Sequence, residues 1–194
     1  MLQAEEKDIF YEWMFLFNHQ KNIRPIDTVC YPTHDSEKKI LGENIKLSYN
    51  NYIDEFYVAS KNNVIPVLLK DGSMIFFHYI FDNNGIVIEH HIAFLPYPSE
   101  DEPLENILSK IIRIDYEQQG YKPNVHSYTH MHHGKFSSYR FTVENIVYPL
   151  EFIAYIMKTN YDYCYPKIMS MIKETHRSTI TEEENGYFAF HIKK

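Results

Sequence analysis

The chain is poor in cysteine, carrying only Cys30 and Cys164 in 194 residues. It has no positively charged start followed by an apolar run of secretory type, so both read as reduced thiols of a cytoplasmic protein. Long apolar runs are missing too. Each is broken by Asp, Glu, His or Pro well short of the roughly 20 residues that cross a bilayer, which predicts no membrane partner. An excess of positive charge is absent: 19 Lys and Arg stand against 26 Asp and Glu, a net charge of -7. That argues against a broadly basic nucleic-acid surface, while a local groove of Arg113, Lys122, Lys135 and Arg140 still has the chemistry to grip a phosphate. There is no glycine-rich phosphate loop, no Cys-x-x-Cys pair and no His-Glu-x-x-His helix, which removes several common enzyme classes. With no internal repeat, low-complexity tract or Pro/Ser-rich linker, the expectation is one domain over residues 1–194. It would comprise an N-terminal helix and connecting segment (1–45), an antiparallel sheet (46–144) and a C-terminal helical part (145–194).

Apolar residues make up 44% of the chain and aromatics 16%, enough to build a core. In residues 5–20, Ile9, Phe10, Trp13, Leu16 and Phe17 recur at spacings of three and four, the mark of a helix with one apolar face. The pattern changes from Val64. Three β-branched and aromatic runs follow, separated by Asp71-Gly-Ser and Asp82-Asn-Asn-Gly, and such turns between such runs predict an antiparallel meander. Pro96 and Pro98 end its third strand, and residues 99–108 read as a loop leading into a short helix or turn. Residues 111–116, 125–132 and 138–143 read as a second meander. Pro149 suits the first turn of a helix and is followed by Leu150, Ile153, Ile156 and Met157 at helical spacing. A further helix over 166–174 is expected, and residues 181–191 fit either a helix or a strand. The fold class is therefore α+β: a mostly antiparallel sheet of about six strands in two meanders, packed against N-terminal and C-terminal helices.

Four of the eleven histidines fall within His126-Ser-Tyr-Thr-His130-Met-His132-His133. No other stretch gathers so many groups able to bind a metal or move a proton near neutral pH. Because successive strand residues point to opposite faces, His126, Tyr128, His130 and His132 share one face. Arg113 and Asp115 share a face of the preceding strand, opposite Ile112, Ile114 and Tyr116. If the apolar residues face the helices, the other face collects Arg113, Asp115, His126, His130, His132 and Arg140. His90 and His91, being adjacent, point oppositely, so at most one joins them.

Three chemistries fit this face. A divalent transition metal such as zinc would take His130 and His132, with His126 or Asp115 as third ligand and water in an open position. A metal-independent phosphodiesterase or ribonuclease would use the histidines as acid and base, with Arg113 and Arg140 on the phosphate of RNA or a nucleotide and Asp115 orienting a histidine. The third is binding without chemistry, as a subunit of a defence or toxin–antitoxin type complex with a protein partner, or as a metal-binding protein without catalysis. Structural roles stand beside all three. A strand histidine is often a hydrogen-bonded or solvated residue, and an Arg–Asp pair is often only an ion pair.

The motifs Leu69-Lys-Asp-Gly-Ser-Met-Ile-Phe-Phe-His-Tyr, His90-His-Ile-Ala-Phe-Leu-Pro-Tyr-Pro, Ile112-Arg-Ile-Asp-Tyr, the histidine segment, Arg140 and Tyr148-Pro-Leu-Glu-Phe-Ile come in an order that resembles the bacterial domain-of-unknown-function family 2290, over roughly residues 50–165. In that family the histidine segment usually reads His-Pro-x-Ser-His-x-His. His126, His130 and His132 fall on its histidines, while Ser127 replaces the proline and Thr129 the serine. The resemblance implies no established reaction. A looser likeness to small bacterial toxin nucleases, with an Arg-x-Asp-Tyr strand and a His-x-His strand before a helix, favours the ribonuclease expectation by analogy.

Overall fold

A computed structural model describes residues 4–45, 51–61, 66–119, 128–134, 141–143, 145–161 and 170. The N-terminal periodicity forms helix α1 (Glu6–His19), which buries Ile9, Glu12, Trp13 and Leu16. The first meander is β4 (Val67–Leu69), β5 (Met74–Phe81) and β6 (Val87–Leu95), following the short strands β1 (Ile26–Val29), β2 (His34–Asp35) and β3 (Ile40–Gly42) and helix α2 (Tyr52–Lys61). Helix α3 (Leu104–Ser109) leads into β7 (Ile112–Glu117), β8 (Thr129–His133) and β9 (Phe141–Val143), and helix α4 (Pro149–Asn160) follows.

Among the described residues all nine strands join one sheet, and every pairing is antiparallel. Its main path runs β1-β4-β5-β6-β7-β8-β9, with β2 pairing β3 and β3 also pairing β5. The two expected meanders thus supply β4 to β9. The segment read as connecting adds three short strands. The turn between β5 and β6 is held by Asp82, whose Oδ1 accepts from the N–H groups of Asn84 and Ile86, both at 2.9 Å. Gly85 takes φ 77° there, a conformation that a side chain disfavours.

Parity then sorts the faces. Ile75, Phe77 and Tyr79 of β5, Ile92 and Phe94 of β6, and Ile112, Ile114 and Tyr116 of β7 turn to one side, where α1 and α4 complete the main core. Trp13 stands 5.5 Å from Phe77, centroid to centroid, and its Nε1–H donates to the Cys30 carbonyl. The buried Glu12, out of place in an apolar stripe, accepts from the N–H of Leu150 at 3.1 Å. Glu151 accepts from the N–H of Tyr148 at 2.9 Å, so two donors at the entrance of α4 are satisfied by carboxylates.

The opposite face, expected to carry the histidine site, also holds a second, smaller core, in which Tyr52 and Phe56 of α2 and Ile107 and Leu108 of α3 cover its Met74, Phe76 and Leu95 end. Helix α2 went unread because its buried positions, Tyr52 and Phe56, are only two, too few to give a periodic signal. Apart from residue 170, which is helical, the expected helix over 166–174 lies outside the described residues, as do the elements over 181–191, Cys164, Lys122 and Lys135. Cys30 is an exposed free thiol, and no helix among the described residues is long and apolar enough to cross a membrane.

Candidate metal centre and cleft

Register builds the site across five strands. One transverse row reads Gly42 of β3, His78 of β5, His91 of β6, Asp115 of β7 and His130 of β8, each paired with the next. The neighbouring row reads Phe76, Ala93, Arg113 and His132. Both rows lie on the face away from the main core. The chain thus brings together Arg113, Asp115, His130 and His132, as the strand alternation expected. His126 and Arg140 lie outside the described residues.

Asp115, His130 and His132 are buried, at 8%, 5% and 2% exposure, and each offers a ligand atom within 4.8 Å of the others. The Nε2 atoms of His130 and His132 stand 3.7 and 3.5 Å from Asp115 Oδ2. Those separations exceed a hydrogen bond's usual 2.7–3.2 Å. They suit two atoms sharing a tetrahedral ion, which at bonds of about 2.1 Å lie about 3.4 Å apart.

The carboxylate is also held at both of its oxygens. His91 Nδ1 donates to Asp115 Oδ1 at 3.0 Å and Arg113 Nε to Oδ2 at 2.8 Å. His91 Nε2 meets Glu89 Oε1 at 2.8 Å, so the ring lies between two carboxylates. Donating to both requires the imidazolium. The hydrogen bond His91 donates to Asp115, with that to Glu89, raises the His91 pKa against the opposing effect of burial. Burial would raise Asp115, yet the His91 hydrogen bond and the charges of Arg113, His91 and His130 outweigh it and hold that pKa at about 2. The carboxylate is therefore ionised throughout the neutral range, as a metal ligand must be.

His90, next in sequence, does something else. It lies in the main core with 0% exposure, and its Nε2 accepts from the N–H of Val147 at 3.3 Å while Tyr79 Oη donates to the Val147 carbonyl at 2.9 Å. Burial lowers its pKa to about 3, so it is a neutral structural residue anchoring the approach to α4. Of the adjacent pair, His91 alone joins the site. His78 went unsingled in the sequence. Its ring stacks on His91 at 6.0 Å and its Nδ1 approaches the Gly42 carbonyl at 3.3 Å. Its pairing with His91 depends on a register shift between Ile80 and Phe81, which counting outward from the turn does not supply.

Beside the clamped carboxylate opens a cleft of about 510 Å³. Glu89, His91, Arg113 and Asp115 line its polar end, Phe76, Ala93 and Leu95 its apolar end, and Glu43, Asn44 and Ile45 its rim.

Sheet and site together define an α+β protein with a buried two-histidine, one-carboxylate cluster at the wall of a cleft. The chain belongs to the family of uncharacterized conserved proteins called DUF2290, whose profile matches residues 15–192, more of the chain than the motifs alone covered. No curated protein and no solved structure matches it significantly.

Proposed function

We propose that this protein is a metal-dependent hydrolase of phosphoesters. Asp115, His130 and His132 hold one divalent ion, with zinc the best match to two imidazoles and a carboxylate. The observation that carries this is the pair of 3.5 and 3.7 Å separations around Asp115 Oδ2, too long for hydrogen bonds and right for a shared ion. Three protein ligands leave a coordination position for water or substrate, the arrangement of catalytic zinc sites. The ion would supply a nucleophile at neutral pH and polarise the phosphoryl oxygen.

The chain's own residues do the rest. Arg113 spends its Nε on Asp115 and keeps its remaining N–H donors at the cleft, where they suit a phosphoryl oxygen. His91 on Oδ1 and Arg113 on Oδ2 fix the carboxylate's orientation, the outer support that metal sites use for their ligands. Asp115 takes the third-ligand role and leaves no need for His126 in the sphere.

Metal content decides the matter. Untagged protein equilibrated with zinc and dialysed should retain about one equivalent by mass spectrometry, and a folded His130→Ala/His132→Ala variant none. Asp115→Asn should weaken retention without unfolding the chain, and bis(p-nitrophenyl) phosphate cleavage should follow metal occupancy across all three proteins. A parent that retains no zinc, manganese or other divalent ion defeats the proposal.

A further inference from the structure

Where α2 and α3 stop covering the sheet, the row Phe76–Ala93–Arg113–His132 passes from apolar to charged in adjacent strands. Strands lie about 4.8 Å apart, so Phe76 is about 10 Å from Arg113 and Arg113 about 5 Å from His132. Between them Ala93 is half-buried, and its methyl group leaves the trough open. Leu95 follows on the same strand face and Ile45 stands at the rim. A cleft of about 510 Å³ is the size of a small-molecule site.

Charge narrows the ligand further. Among the described residues the lining carries three carboxylates, on Glu43, Glu89 and Asp115, against the Arg113 guanidinium and the His91 imidazolium, and His91 is already spent on Asp115 and Glu89. Polynucleotides are held by many cations along a groove, whereas the described lining offers one guanidinium, on Arg113, to a phosphate. One anionic group on Arg113 is matched. An apolar ring over Ala93 is matched as well.

We propose that the cleft takes a small amphipathic phosphoester, one phosphoryl group on Arg113 and an aromatic or heteroaromatic ring over Ala93 against Phe76 and Leu95, and that it excludes polymeric nucleic acid. This rests on the phosphoester reading above and names its substrate class. Ala93 sets the specificity, because a larger side chain there fills the ring's place between its cross-strand neighbours Phe76 and Arg113.

The test measures binding apart from turnover. Phenylphosphonate and methylphosphonate, whose C–P bonds are not hydrolysed, are titrated calorimetrically into parent, Ala93→Leu and Arg113→Met proteins, with zinc and with chelator. A single-stranded 12-nucleotide oligomer is titrated in chelator. Phenylphosphonate should bind the parent about tenfold tighter than methylphosphonate, as expected for burying one ring. Ala93→Leu should erase that preference and leave methylphosphonate within about twofold, while Arg113→Met weakens both. Equal affinities in the parent, a preference that survives Ala93→Leu, or tighter binding of the oligomer with steep salt dependence would overturn the inference. The two proposals fail separately: zinc retention without ring preference removes this one alone, and ring preference without metal retention removes the metal centre alone.

Discussion

At the residue scale, His91 shows how one side chain fixes another. It donates to Asp115 and meets Glu89, and its own side chain is partly exposed, so its loss should not unfold the sheet. Removing an outer partner of a metal-binding carboxylate typically lowers affinity about 10–100-fold. His91→Ala should weaken zinc binding by that factor in competition with a chromophoric chelator, with an unchanged far-ultraviolet spectrum. Zinc affinity equal to the parent's would mean that Asp115 is oriented without His91. Much of this was legible in the sequence. Period-two alternation put Arg113 and Asp115 on one face and His130 and His132 on one face, and it separated His90 from His91. It left open which of those two faces the site, because the choice depends on which side of β6 the large helices cover.

At the scale of elements, strand β3 ties the cleft's rim to the sheet. Gly42 has φ 78°, and a Cβ placed there would come within 2.0 Å of the Phe77 carbonyl oxygen, a backbone atom that cannot yield. Gly85 shares the positive φ but meets nothing nearer than 3.6 Å. Gly85→Ala should therefore cost about 1–2 kcal/mol, the conformational penalty alone. Gly42→Ala adds a clash between β3 and β5 and should cost roughly 3 kcal/mol or more by chemical denaturation. It should also disturb the rim at Glu43, Asn44 and Ile45, which follow β3 directly. Equal losses in the two variants would show that β3 yields freely. The sequence offered no sign of this strand. At three residues, Ile40–Gly42 is too short to display alternation, and its place comes from pairing with β5.

At the scale of the whole molecule, stability should fall in mild acid. His90 keeps a pKa of about 3 when folded against 6.5 unfolded, so between those values the unfolded chain binds a proton that the folded chain refuses. Stability then rises with pH across the window and is lost as pH falls through it, by about 2 kcal/mol between pH 7 and pH 5 from His90 alone. His78, lowered chiefly by burial, acts in the same direction. His91, raised by Asp115, acts oppositely: its contribution is whole below 6.5 and fades as pH rises through its folded value. Asp115, held at about 2, contributes above 3.8 and loses its effect only in stronger acid. His90→Gln should flatten the difference between unfolding free energies at pH 7 and pH 5. A variant as acid-sensitive as the parent would move the cause elsewhere.

The sequence by itself determined the helices α1 and α4, the six strands of the two meanders, the side of each strand on which its polar residues stand, and the histidine segment that marks the site. These follow from periodicity, turn chemistry and the spacing of neighbours, which act over a few residues. The tertiary structure alone decided which rows form. His78, His91, Asp115 and His130 come from four strands, and they meet because hairpin turns and the packing of α1 and α4 fix the register between segments far apart in the chain. It alone decided that α2 and α3 close part of the polar face and leave a cleft beside Asp115, since burial of that face depends on contacts no local pattern encodes.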